Sequence, residues 1–205
     1  MARIFTTKFC WLIAAAWVGV GAATSTQAGI LNNHAAAWGG VAGNVPFNNG
    51  VGLSGTIDYA VFTASDFNAN FAGLGYVPGD DLVYTYQVTV AGSLAVTAEH
   101  VGISNPANTI GTFNIGDVDA SSASFTPNGS WFFASGIQTG MTSYGLAFSS
   151  PNLPIVGAVL TVDGGTQALV AGVPTPGPIA FPEPASLLIT AAGLVACLLS
   201  RSRRR

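Results

Sequence analysis

Asp117-Val118-Asp119 and Asp80-Asp81 are the places where carboxylates crowd together in this chain. Hard carboxylate oxygens held in turns suit calcium, so Asp117 and Asp119 are the leading candidate cation ligands. Neither pair has EF-hand spacing, and a single D-x-D is common on solvated surfaces. Glu99-His100 sets an acid beside an imidazole, which invites an acid/base reading. In a strand, however, adjacent side chains point to opposite faces, and an isolated strand histidine is more often structural than a general base. His34 is the only other histidine. Trp38 and Trp131 could stack on sugar rings, but large aromatics in a domain this small more often pack its core. Asn128-Gly129-Ser130 matches a glycosylation sequon. No G-x-S-x-G elbow accompanies the many serines. Cys10 and Cys197, the two cysteines, lie in apolar stretches near the ends, which leaves no thiol nucleophile in the body once those stretches are removed. The expectation is a protein with no catalytic residues and no cofactor.

The charges narrow the class further. All six basic residues, Arg3, Lys8, Arg201, Arg203, Arg204 and Arg205, stand close to the two ends. Residues 29–181 hold no Lys or Arg against eight acids: Asp58, Asp66, Asp80, Asp81, Glu99, Asp117, Asp119 and Asp163. An average protein is roughly 25% charged with both signs interspersed. A body without cations cannot neutralise phosphates, which excludes nucleic acid as a partner. Nor can it build Lys or Arg salt bridges, so apolar burial and backbone hydrogen bonds must hold it together. With no cysteine in the body, disulfides are excluded there too. About 150 residues suffice for one domain that buries roughly two-thirds of its unfolded surface.

The elements that would position these residues read as strands. In Leu82–Val90 the residues Leu82, Tyr84, Tyr86, Val88 and Val90 alternate with Val83, Thr85, Gln87 and Thr89, the period of a half-buried strand. Ala91-Gly92-Ser93 follows as a turn, making Leu94–Ile103 the expected return strand of a hairpin. Further strands are expected over Gly55–Thr63, Thr109–Ile115, Ser130–Ala134, Ser143–Phe148, Ile155–Val162 and Gln167–Ala171. Turn formers such as Pro127-Asn-Gly129 and Asp163-Gly-Gly165 separate them. No helical stripe stands out, and glycine recurs too often for long helices. The expected fold is all-β: a single antiparallel sandwich over 29–171, immunoglobulin-like or jelly-roll in type, with no strand order assigned. The Asn- and Gly-rich stretch Gly29–Gly55 is left open. Gly172–Phe181, with Pro174, Pro176 and Pro178, reads as a stiff extended spacer.

Both ends carry targeting patterns. Arg3 and Lys8 precede the apolar stretch Phe9–Ala23, and Thr24–Ala28 closes on Thr26-Gln27-Ala28. This is the layout of a secretory signal peptide, residues 1–28, cleaved after Ala28. There is no twin arginine, which points to the general secretion translocon. At the other end stand Phe181-Pro-Glu-Pro-Ala-Ser186, the apolar run Leu187–Leu199, and Ser200-Arg-Ser-Arg-Arg-Arg205. Thirteen helical residues span about 20 Å, short of a hydrocarbon core of about 30 Å. Such a helix would cross only with local thinning or snorkelling arginines. Arg201, Arg203, Arg204 and Arg205 should act as the membrane stop and stay cytoplasmic. Pro182-Glu183-Pro184 would then lie at the outer face of the inner membrane.

That three-part ending, residues 182–205, closely resembles the C-terminal sorting domain called PEP-CTERM. The resemblance covers about 24 of the 205 residues. It implies processing at Pro182-Glu183-Pro184 by exosortase, a membrane-embedded enzyme of bacteria that make extracellular polysaccharide. It also implies delivery to the outer surface or the biofilm matrix. The stretch Tyr144–Pro154 followed by Asp163-Gly-Gly165 looks like the bodies of many such proteins, which mostly have no assigned activity.

Two functions remain open. One is a non-catalytic surface or matrix protein, exported, transiently anchored in the inner membrane and left among exopolysaccharide. The other is a lectin-like carbohydrate-binding module with weak calcium dependence. Exposed aromatics beside clustered carboxylates would favour the second, and buried aromatics with scattered acids the first.

Overall fold

The alternating run at 82–90 becomes the strand on which the architecture turns. The computed structural model describes residues 29–79, 81–103, 107–125 and 128–177. Ten strands follow one another there: β1 (Ala42–Asn48), β2 (Ser54–Phe62), β3 (Leu82–Val90), β4 (Val96–Val101), β5 (Thr109–Phe113), β6 (Ser122–Ser124), β7 (Gly129–Ile137), β8 (Gly145–Ser150), β9 (Pro154–Asp163) and β10 (Gln167–Pro176). They form two five-stranded antiparallel sheets, ordered β1-β2-β3-β8-β5 and β10-β9-β4-β7-β6.

The two sheets share one apolar core. Ile57, Val61, Tyr84, Tyr86, Val88, Leu146 and Phe148 from the first meet Val96, Val101, Trp131, Phe133, Ile137, Val162 and Val170 from the second. Tyr84 lies flat on Phe148, ring centroids 5.1 Å apart and planes 5° from parallel, the stacked arrangement that adds to area burial. The polar tips of the buried aromatics find backbone carbonyls. Trp131 Nε1 donates to Gly111 O at 2.9 Å, tying β7 to β5 across the sandwich. Tyr84 Oη donates to Asn152 O at 2.8 Å, and Tyr86 Oη to Pro174 O.

A second core lies on the other side of the first sheet. Ala60, Phe62, Val83, Phe113 and Ala147 are covered there by Leu31, Phe67, Phe71 and Tyr76. Phe67 and Phe71 are presented by a helix, α1 (Ala64–Phe71), at the spacing that puts two residues on one face. Thr63 caps it: its Oγ1 accepts from Asp66 N–H at 3.1 Å and donates to the Asp66 carboxylate at 2.7 Å, which satisfies one of the unpaired donors of the first turn.

Several expectations need correcting. β3 is not half-buried: Val83, Thr85 and Gln87 are as buried as Tyr84 and Tyr86, because the second core covers the face expected to meet solvent. The expected hairpin with Leu94–Ile103 does not form. β3 pairs with β2 and β8, while β4 crosses to the other sheet and pairs with β7 and β9. The crossing rests on Gly92, where a Cβ would lie 2.1 Å from Gly52 O; the chain passes so close over the β1–β2 turn that only glycine fits. The body does have a helix, α1, and the stretch left open holds β1. The spacer boundary at 171/172 also moves, since β10 continues to Pro176 and pairs with β9 as far as Pro154, across register shifts around Gly172 and Val173. Its prolines are tolerated because β10 is a sheet edge, where a missing N–H need not break a ladder. Pro46 in β1, the edge of the other sheet, follows the same rule. The signal segment, the Pro182–Pro184 motif, the apolar run and the arginine cluster lie outside the described residues. Among the described residues no helix is long and apolar enough to cross a membrane.

Candidate functional site

The loop between β5 and β6 carries the leading cation candidates, and it uses both of them structurally. Val118 bridges to Ser143, so the loop runs as a short strand beside the approach to β8. On one side of Val118, the Asp117 carboxylate accepts from Thr142 N–H at 2.9 Å. On the other, the Asp119 carboxylate accepts from Thr112 Oγ1 at 2.7 Å. Each carboxylate is thus engaged by a separate hydrogen-bond donor. Asp81 accepts from the Asn108 amide, and Asp80 lies outside the described residues. Among the described residues no three His, Cys, Asp or Glu side chains come together.

Glu99 and His100 part as strand geometry requires. His100 lies on the outer face of β4, half-buried, with Nδ1 2.9 Å from Ser130 Oγ and its ring edge-on to Phe132 at 5.6 Å. Glu99 points the other way, into the core between the sheets, opposite Trp131 on β7 and Val162 on β9. It is wholly buried, and neither carboxylate oxygen has a hydrogen-bond partner. Burial pushes its carboxyl up to about 8, since an ion there would lose its hydration without compensation. Its negative charge would also raise Tyr86, already held well above the usual phenol range by burial. The sequence marked Glu99 as half of an acid/base pair; the structure makes it a lone acid inside an apolar core. An acid between Val96 and Val101 was visible in the sequence, but only the packing of the first sheet over β4 shows that its face is closed.

His34 is equally committed to structure. Its ring stands edge-on to Phe62 at 5.0 Å and tilted against Phe71 at 5.5 Å, and its Nδ1 accepts from Ala36 N–H at 3.2 Å. The two sugar-stacking candidates fare no better. Trp131 is fully buried in the shared core, and Trp38 is half-buried against it. The exposed aromatic is instead Phe132, beside Trp131 on the opposite face, a residue that the sequence did not single out although strand alternation would have paired the two as inside and outside. Ser130 Oγ, in the sequon, is turned to His100 and is buried.

Of the two tryptophans, Trp131 is thus buried and Trp38 half-buried, and the acids are scattered. No family model matches the chain, and neither curated proteins nor solved structures show a match to it.

Proposed function

We propose that this chain is an exported, non-catalytic surface or matrix protein, anchored as a precursor by its C-terminal apolar run and released or transferred by exosortase at Pro182-Glu183-Pro184. The observation that carries the reading is the partition of charge. Every cation sits in an end segment of targeting type, and the 153 positions between them, residues 29–181, contain none. The β body is consistent with a passive role, because its candidate ligands and acid/base residues are held by hydrogen bonds or buried singly. The lectin-like alternative loses support with Trp131, which has no face left for a sugar.

The strand neighbours favour an immunoglobulin-like sandwich over a jelly roll. β2-β3-β8-β5 facing β10-β9-β4-β7-β6 reproduces the A-B-E-D and G-F-C-C′-C″ adjacencies of that fold. The strands between β4 and β8 arrive in a different sequence order, so the parallel is one of neighbours and not of full topology.

Intact mass spectrometry of the protein recovered from producing cells tests the function. A mature start at Gly29 and an end near Pro182–Pro184 are expected, with any extra mass identifying what is joined there. Retention of Arg205 would overturn sorting. Glu183→Ala should leave the membrane-bound precursor to accumulate, and normal processing of that variant would count against the motif.

A further inference from the structure

Exposed aliphatic side chains are concentrated at one end of the sandwich. Val77 is 77% exposed, Leu153 62%, Ile155 48% and Val156 65%. Leu153 immediately precedes β9, and Ile155 and Val156 stand at its start, in a part of the β9–β10 ribbon that runs past the end of β4, whose pairing with β9 stops at Val101. Adjacent residues Ile155 and Val156 are both exposed there, although their partners on β10, Thr175 and Pro174, are buried against the body. Val77 belongs to the loop that precedes β3, and this loop is fixed to the same end. Tyr76 Oη lies 3.4 Å from Ser149 Oγ, and Leu82 pairs with Ser150 two residues before Asn152. The chain also leaves here. Gly177 N–H donates to Leu153 O at 2.8 Å, and a Cβ on Gly177 would meet Ile155 Cγ2 at 2.7 Å. The exit strand thus lies directly on the aliphatic cluster.

We propose that this cluster is a membrane-contact surface: in the precursor, Val77, Leu153, Ile155 and Val156 rest on the lipid interface beneath which the apolar run Leu187–Leu199 is inserted. The inference depends on the anchored-precursor reading above. Leu187 stands ten positions beyond Gly177, a reach of at most about 35 Å. The end of the domain that carries the exit is therefore the end held near the bilayer. A few exposed aliphatics would bind a membrane feebly on their own. Tethering converts that contact into an intramolecular one at an effective concentration on the order of millimolar. The described residues of this end offer no cation, so burial of apolar surface, and not attraction to anionic headgroups, supplies the contact. Cutting the tether at Pro182–Pro184 removes the effective concentration. The body then leaves the surface without any change in its fold.

The test uses the anchored precursor, residues 29–205 with Cys197 replaced by serine, reconstituted in phosphatidylcholine vesicles, so that Leu187–Leu199 is its one apolar membrane segment. Single cysteines are introduced as Val156→Cys or Val77→Cys and, as the control, Val51→Cys. Val51 is equally exposed but lies in the β1–β2 turn at the other end, next to the β9–β10 turn through the Asn49–Thr166 hydrogen bond. Each carries a fluorophore, and quenching by headgroup-spin-labelled lipid is measured, with vesicle flotation in parallel. Quenching several-fold stronger at 156 and 77 than at 51 is expected, and should fall to the level at 51 when Leu153, Ile155 and Val156 neighbours of the label are changed to serine. Equal quenching at both ends in a chain that floats would overturn the contact and leave the anchor standing. A chain that does not float would overturn both.

Discussion

The two sheets of this sandwich are built to different plans. The β1-β2-β3-β8-β5 sheet is covered on both faces, by the shared core on one side and by α1 with Leu31 and Tyr76 on the other. The β10-β9-β4-β7-β6 sheet has one covered face; its other presents Thr97, Phe132, Ala134, Gln167, Leu169 and Ala171 to solvent. The doubly covered sheet must find partners for polar groups on its inner strands without any cation, and it does so with neutral bonds. Thr85 Oγ1 donates to Ala60 O at 2.7 Å, and the Gln87 amide donates to Ile115 O and Ser143 O at 3.0 and 3.1 Å. Gln87 Oε1 is left without a partner there, and the singly covered sheet sends both oxygens of Glu99 unpartnered into the shared core. Buried amides and hydroxyls can be met by backbone carbonyls, whereas burial without a partner favours the neutral form of Glu99.

The largest effect should come from the core that both sheets share. Trp131→Ala removes its largest fully buried side chain and also leaves Gly111 O without its indole donor. A loss of about 3–5 kcal/mol is expected, read as a lower midpoint in urea unfolding with all probes changing together. Phe67→Ala acts on the other core. The truncation is of the same kind, yet it should open α1 and the Leu31 segment first. Hydrogen exchange is then expected to rise in residues 29–40 and 63–76 well before β3, β4 and β7. Simultaneous exchange everywhere would mean that the two cores are one cooperative unit.

Glu99 sharpens the contrast through pH. Its folded-state value, about 8, lies above the ordinary 4.5, so the unfolded chain loses this proton first. Stability from this group is complete below the ordinary carboxylate range, falls as pH rises from there toward 8, and is flat above. The total is expected to reach several kcal/mol, because each unit of pKa shift corresponds to about 1.4 kcal/mol. Asp58 is shifted in the same direction by burial, so the informative comparison is wild type against Glu99→Gln. Glu99→Gln should flatten most of the decline in stability between about pH 5 and 8, and an unchanged slope would show that water reaches the carboxylate.

How much of this was legible follows from where each signal is generated. β3 was readable to the residue because its alternation is a property of its own nine side chains. That it is buried twice was not, since the cover arrives from residues 29–76, where Asn and Gly obscure the pattern. The Thr63-Ala-Ser-Asp66 cap was in plain view, a Thr with an acid three positions on, but eight residues carry too little periodicity to advertise a helix. The β3–β4 crossing was hidden because Ala91-Gly92-Ser93 is as compatible with a hairpin as with a change of sheet. What decides is Gly92 lying against Gly52 O, a contact between distant residues. For the same reason the sequence could not show that Asp117 and Asp119 each take a separate partner, Thr142 N–H and Thr112 Oγ1. The tail motif lies outside the described residues, so its reading rests on the sequence pattern and on the processing experiment proposed above. Thr63→Ala checks the local part of this account: the cap should be worth about 1 kcal/mol, lost from α1 as faster exchange there with little change in global unfolding.

The smallest effect is expected on the bare face, and it is the one that separates the two plans most clearly. Phe132 is the immediate neighbour of Trp131 and also a large aromatic, but it is 42% exposed, with its ring against that of His100. Substitution by serine removes an aromatic ring from solvent-facing strand surface and leaves no cavity. Its cost should lie within about 0.5 kcal/mol of zero, against several for the residue beside it. A cost for Phe132→Ser approaching that of Trp131→Ala would mean that something covers this face in solution, and the singly covered sheet would then be an interface awaiting its partner. A negligible cost, with no change in the size of the folded species, leaves it as open surface. The end of the domain around Val156 would then remain the place where exposed aliphatics gather for a reason.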